Sequence, residues 1–123
     1  YISGGRVLIT EKLQNLIAGH IASSLIDSAK VGLGGNTTFP SQGDLDVPLT
    51  SVSVTSAATN DANSNVVQIK ATVNCNQAGM TGQVLREVGF FDSTDLVIRQ
   101  NFDGIGPFSS NDTLEFFILL EVE

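Results

Sequence analysis

The sequence predicts a mainly β protein: an antiparallel β-sandwich of about six strands with one N-terminal α-helix. Three observations carry this. Only one stretch, near the N-terminus, has helical periodicity. The remainder alternates apolar and polar residues in short runs separated by Gly, Asn, Ser and Asp. No helices alternate with the later strands, so the crossovers that a parallel sheet needs are missing. The 123 residues suit a single domain spanning 1–123, long enough to bury its own core.

The helix is expected over residues 10–26. Leu13, Leu16, Ile17, His20, Ile21, Ser24 and Leu25 recur at i, i+3 and i+4, the spacing of one stripe. Thr10 is the expected N-cap, and Glu11 suits the positive end of the helix dipole. "KVGLGG" then reads as a short strand ending in glycines, and "NTTFPSQGDLDVP" as a breaker-rich loop. "LTSVSVTSAA" alternates as a half-exposed strand. "VVQIKATVNC" places Val67, Ile69, Ala71, Val73 and Cys75 on one face and Gln68, Lys70, Thr72 and Asn74 on the other. "GQVLREVGFFDSTDLVIRQ" reads as a hairpin, and "NFDGIGPFSSND" as an irregular connection. "TLEFFILLEVE" is the closing strand.

Composition excludes several roles. The net charge is −7 with six Lys or Arg, which argues against a nucleic-acid backbone as partner and against docking on anionic lipid. Cys75 is the single cysteine, so an intrachain disulfide or a metal site built on cysteines is excluded. No apolar run approaches the roughly 18–20 residues of a membrane span, so membrane insertion by a helix is not expected. "YISGGRVLITEK" lacks the pattern of a signal peptide, and a start at Tyr1 suggests part of a longer or processed chain.

The residues that might carry chemistry favour bland readings. His20 falls on the helix stripe and is read as packed or interfacial; no G-x-S-x-G elbow partners it. Cys75, on an apolar strand face, is read as a buried, inert thiol. Asp44 with Asp46, and Asp92 with Asp95, lack the further oxygens of a Ca²⁺ loop and read as turn residues. "VGLGGN" lacks phosphate-loop spacing, so its glycines are read as allowing tight backbone packing. Asn36 and Asn111 match the N-glycosylation pattern, which short chance matches readily do. No catalytic residue, metal ligand or cofactor is expected, and the chain is not read as an enzyme.

Two strands depart from clean alternation. In the first arm of the hairpin, Val84, Arg86, Val88 and Phe90 fall on one face, and Leu85, Glu87, Gly89 and Phe91 on the other. The closing strand sets Leu114, Phe116, Ile118, Leu120 and Val122 on one face, with Phe117 and Leu119 among glutamates on the other. A strand with one wet face should not look like this, so a second cover is expected: the helix, or a copy of the chain. The candidate interface for helix packing or oligomerisation is therefore Leu13, Leu16, Ile17, Ile21, Leu85, Arg86, Glu87, Phe91, Phe117 and Leu119. Desolvated charges need partners. Arg99, across the hairpin, is the candidate for Glu87; Glu115 and Glu121 are the candidates for Arg86. Roles in register and specificity are expected ahead of catalysis.

The motif order resembles small β-rich tail-fibre or tail-collar-type domains of tailed bacterial and archaeal viruses. The resemblance rests on "ITEKLQNLIAGHI", on "VGLGGNTTFPSQGDLDVPL", on "LREVGFFDSTDLVIRQNF" and on "DTLEFFILLEV", in that order over nearly the whole chain. "REVGFFD" is the most specific piece. Gly34-Gly35 departs from the more usual Gly-Thr-Gly. The resemblance implies a virion structural protein that assembles with copies of itself, a trimer being favoured, and with other virion proteins. It carries over no catalytic residues. The alternative is a receptor- or glycan-binding module at a fibre tip, meeting a host surface glycan or protein through loops at 36–46, 76–82 and 103–112. Its candidate contacts are Asn36, Phe39, Asp44, Asp46, Met80 and Phe108, although Phe39 and Phe108 also suit plugging the ends of a sandwich.

Overall fold

The structure, a computed structural model, describes residues 8–123. Tyr1 and most of the stretch read for a leader lie outside the described residues. Six strands form two three-stranded antiparallel sheets, as the alternation predicts. The first sheet has the order β1 (Ser28–Gly32), β4 (Leu85–Asp92), β5 (Asp95–Ile105). The second has the order β2 (Val54–Asn60), β3 (Val66–Asn74), β6 (Thr113–Glu121).

The core lies between the sheets. β3 supplies Val67, Ile69, Ala71 and Val73, all fully buried, and Cys75 follows directly. β4 supplies Leu85, Val88 and Phe90, and β6 turns Leu114, Phe116, Ile118 and Leu120 toward them. The Phe102 and Phe116 rings meet at 5.3 Å between centroids, tying β5 to β6 across the layer.

β4 breaks the expected alternation by a bulge. Leu85 pairs with Ile105 and Glu87 with Asn101, so the single Arg86 stands opposite three residues of β5. The irregularity changes the parity of the strand. Leu85 therefore faces the core together with Val88 and Phe90, although simple alternation sets it on the opposite face. A second shift, between Phe90 and Phe91, leaves Val97 as the extra residue of β5. These two bulges also explain why β5 runs on to Ile105, through residues that read as an irregular connection.

The helix is shorter than its periodicity suggests. α1 spans Glu11–His20, and a π-helical turn continues it over Ile21–Leu25. Thr10 caps it: the Leu13 N–H donates to Thr10 Oγ1 at 3.3 Å. The helical segment packs on β2 and β3 with Ala18, Ile21 and Ala22, small or late in the helix. Leu13, Leu16 and Ile17 remain exposed, and so does His20. The expected helical cover over the second face of β4 or β6 is not there. His20 is not packed either, because the contact is made by a neighbouring stripe centred on Ala18.

Candidate functional site

The cover over β4 is the loop at 33–48. It folds back across the outer face of the first sheet and holds Leu45 over Gly89, beside Phe91 and Leu96. Its two ends are joined to each other, the Leu33 N–H donating to Val47 O at 2.9 Å, and the residue after the loop is tied to β1, the Leu49 N–H donating to Val31 O at 3.0 Å. Lys30 lies over the Phe91 ring, 4.7 Å from its centroid, and pairs with Asp44 at 3.6 Å.

Glu87 and Arg99 fasten this loop. Arg99 stands opposite Gly89, so it is a diagonal neighbour of Glu87 across the hairpin. Arg99 Nε donates to Glu87 Oε1 at 3.0 Å, with both side chains fully buried. The same carboxylate accepts three backbone N–H bonds from the loop, each 2.8 Å long. Gly34 and Val47 donate to Oε2, and Asp46 donates to Oε1. Arg99 in turn donates from Nη1 to Asn36 O and Thr38 Oγ1, both at 2.7 Å, and from Nη2 to Gly34 O at 3.4 Å. The two ends of the loop are thus bound to one ion pair.

This is the setting in which a buried pair contributes rather than costs. Desolvating two charges is offset only if each finds several further hydrogen bonds. Glu87 has four donors, and Arg99 directs three of its bonds to the loop. A carboxylate so occupied has no free lone pair for proton transfer, and a guanidinium so occupied has no open fork for an oxyanion. Among the described residues no group of three or more His, Cys, Asp or Glu is placed to hold a metal ion. The chemistry of the pair is positional: it sets the loop on the sheet.

Two glycines make the approach possible. A Cβ on Gly34 would stand 2.7 Å from Glu87 Oε2 and 2.6 Å from Asp46 Oδ2, while one on Gly32 would stand 2.6 Å from both Glu87 Oε2 and Val47 O. Gly32 and Gly34 of "VGLGG" therefore serve close backbone packing, against a carboxylate, while a Cβ on Gly35 would meet only Arg86 Cδ at 3.5 Å. Gly34→Ala is expected to destabilise the protein by about 1–3 kcal/mol through overpacking, read as a lowered urea midpoint with an unchanged slope.

Several expected interface residues are placed differently. Leu85, Glu87 and Phe91 are buried within the chain, Leu85 in the core and the other two under the loop, so none is available to a second copy. Arg86 is exposed, and its side chain runs beside Gly35 and Gly104. It has no ion pair with Glu115 or Glu121, because β6 belongs to the other sheet; Glu115 pairs instead with Lys70 at 3.3 Å. The expected Glu87–Arg99 pair is present. Met80 and Phe108 are buried in the core and offer no surface to a ligand. Asn36, Phe39, Asp44 and Asp46 are exposed on the loop. There Phe39 and Pro40, with Thr38, Gln42, Leu96, Val97 and Arg99, line a cleft of about 340 Å³. Sequence reasoning missed the backbone donors at 34, 46 and 47 and the role of Thr38.

Cys75 is fully buried. Burial, and secondarily the Asp112 carboxylate, push its thiol above the ordinary value of 9.0. Native protein is expected to resist alkylation at neutral pH, with labelling appearing only in denaturant. The linkage has a definite sign. Above pH 9.0 the unfolded thiol loses its proton while the folded one keeps it, so this group's contribution to stability declines as pH rises beyond that point. Cys75→Ser is expected to flatten that decline in a pH series of denaturation midpoints.

No protein-family model, curated protein or solved structure matches the chain.

Proposed function

We propose that the chain is a structural domain of a virus particle, in a tail fibre, collar or surface appendage, that assembles with copies of itself and with other particle proteins. The motif order supports the setting. One observation carries the assembly: β6 presents Phe117 and Leu119 on its outer face, 56% and 73% exposed, and nothing within the described residues covers them. β4, the other strand with two apolar faces, has its cover in its own chain. The exposed Leu13, Leu16 and Ile17 add a second apolar surface on the helix. Contiguous apolar surface on a folded domain is a mark of an interaction site. Sedimentation equilibrium over a range of concentrations tests this: self-association is expected, and a strict monomer at the highest concentrations would remove the assembly.

The loop cleft favours a second reading, attachment to a host-surface glycan or protein. Phe39 is exposed at its rim and the clasp holds it on a fixed base, as stacking on a ligand ring or sugar face requires. Phe39→Ala is the test, in a glycan array or a cell-adsorption assay; unchanged binding would discard the cleft.

A further inference from the structure

We infer that β6 is the assembly edge, and that a second copy adds its own β6 antiparallel to it, joining two three-stranded sheets into one continuous sheet. The inference rests on the self-assembly proposed above and names the surface that performs it.

The four sheet edges differ in how they are protected. β1 is short, carries Lys30, and has its outer edge taken by the loop through Leu33, Val47 and Leu49. β5 is interrupted by two bulges and carries Asp103 and Gly104 near its end. β2 is the polar run "VTSAATN", and it neighbours β1 where the sandwich closes. Short length, bulges, inserted charges and covering loops are the usual means of blocking edge-to-edge pairing. β6 is neither short nor bulged, no loop among the described residues covers it, and its only charges are Glu115 and Glu121. Its nine residues, "TLEFFILLE", pair with β3 in unbroken register and contain no Pro, Gly, Lys or Arg.

Among the described residues nothing pairs with the backbone at that edge, and its groups are correctly turned. The Cys75 N–H donates to Asp112 O, and the Val122 N–H to Asn65 O, both toward β3. Backbone groups alternate in direction along a strand. Even-numbered residues therefore serve the β3 ladder, and Thr113, Glu115, Phe117, Leu119 and Glu121 direct their N–H and C=O groups outward. Among the described residues β6 pairs with no strand other than β3.

Self-pairing also suits the side chains. A two-fold axis at Phe117 opposes that residue to its own copy and Glu115 to the partner's Leu119, so no two carboxylates lie directly opposite. Of the two neighbouring registers, the one that opposes Phe117 to Leu119 sets Glu115 against Glu121 and is disfavoured by like charge, and the other sets Glu115 against Phe117 and gives up the pairing of the two Phe117 rings. Lys70, paired with Glu115 and 5.8 Å from the Phe117 ring centroid, partly offsets the acidity of the seam. An isologous contact of this kind gives dimers or higher even-numbered assemblies, where the viral resemblance implies a trimer.

Leu119→Pro separates this edge from any other contact. It removes an outward N–H and leaves the β3 ladder intact, a position at which an edge strand tolerates proline. Phe117→Lys supplies a second variant with no backbone change. Each is expected to raise the dimer dissociation constant by more than about tenfold while the circular dichroism of the fold is retained. In the wild type, amides 115, 117, 119 and 121 are expected to gain protection from hydrogen exchange as concentration rises. Oligomers that persist in both folded variants would overturn the β6 edge and leave self-assembly standing. A wild type that stays monomeric would remove both. Protection of these amides at monomer mass, at every concentration, would assign the edge to another part of the chain and overturn the pairing.

Discussion

Glu87→Ala is expected to destabilise the protein by about 3–5 kcal/mol, the usual cost of removing one member of a buried ion pair. The substitution leaves the Arg99 guanidinium buried with no counter-ion, and it orphans the N–H groups of Gly34, Asp46 and Val47 together. The loss should centre on the loop at 33–48, which other contacts hold mainly at its ends and through Leu45. Proteolytic cutting within 35–44 is the expected accompaniment, at denaturant concentrations where the sandwich still gives its native signal. Arg99→Ala should cost a similar amount, since it leaves Glu87 charged and buried. The double variant should cost clearly less than the sum, because the two residues act as one unit. Additivity in that cycle would mean that each side chain is held by the loop independently of the other.

Phe90→Ala is expected to cost about 3–5 kcal/mol by a different route, lost burial plus an internal cavity. Phe90 is fully buried between Ala29 of β1 and Ile98 of β5 and faces the β3 side chains across the core. Its removal should lower the urea midpoint of the whole domain, with the loop and the sheets unfolding together. The contrast with Glu87→Ala is the informative part: a core deletion weakens every region at once, and a clasp deletion weakens the loop first. A Phe90→Ala protein that loses the loop while its sheets keep their stability would put Phe90 outside the shared core.

Much of this was legible from the residues. The β3 alternation Val67, Ile69, Ala71, Val73 carries its burial directly, because a strand's period of two leaves no other way to hide four apolar side chains. The helix start at Thr10 followed from capping chemistry. The Glu87–Arg99 pair followed from the hairpin and the rule that buried charges need partners. Three things were not legible, each for a physical reason. The bulge at Arg86 moves Leu85 to the core, and nothing in "LREVGFF" distinguishes a bulged residue from a paired one. The loop as cover was hidden because its donors are backbone N–H groups, which every residue has; the one signal was the glycines, whose missing Cβ admits the carboxylate. The helix stripe was misleading because packing selected Ala18, which allows close approach, over the larger Leu13, Leu16 and Ile17.

The division between β4 and β6 organises the functional reading. Both strands have two apolar faces, and the same sequence pattern has two outcomes. β4 meets a loop of its own chain, clasped by charge. β6 meets no cover among the described residues, and none of them pairs with its outer backbone edge. An internal cover makes the Arg86–Glu87 segment a matter of folding, and it moves the candidate seam between copies to Phe117 and Leu119.

Hydrogen exchange at the Gly34, Asp46 and Val47 amides of the wild-type protein is the most direct measurement of the clasp. These three sit in a loop without strand or helix around them, where exchange is ordinarily fast. With all three donating to a buried carboxylate at 2.8 Å, protection approaching that of the β3 amides is expected, and it should disappear in Glu87→Gln or Glu87→Ala. Exchange at the rate of neighbouring exposed loop amides such as Gly43 would contradict the clasp, and would return Glu87 and the outer face of β4 to the surface available to a second copy.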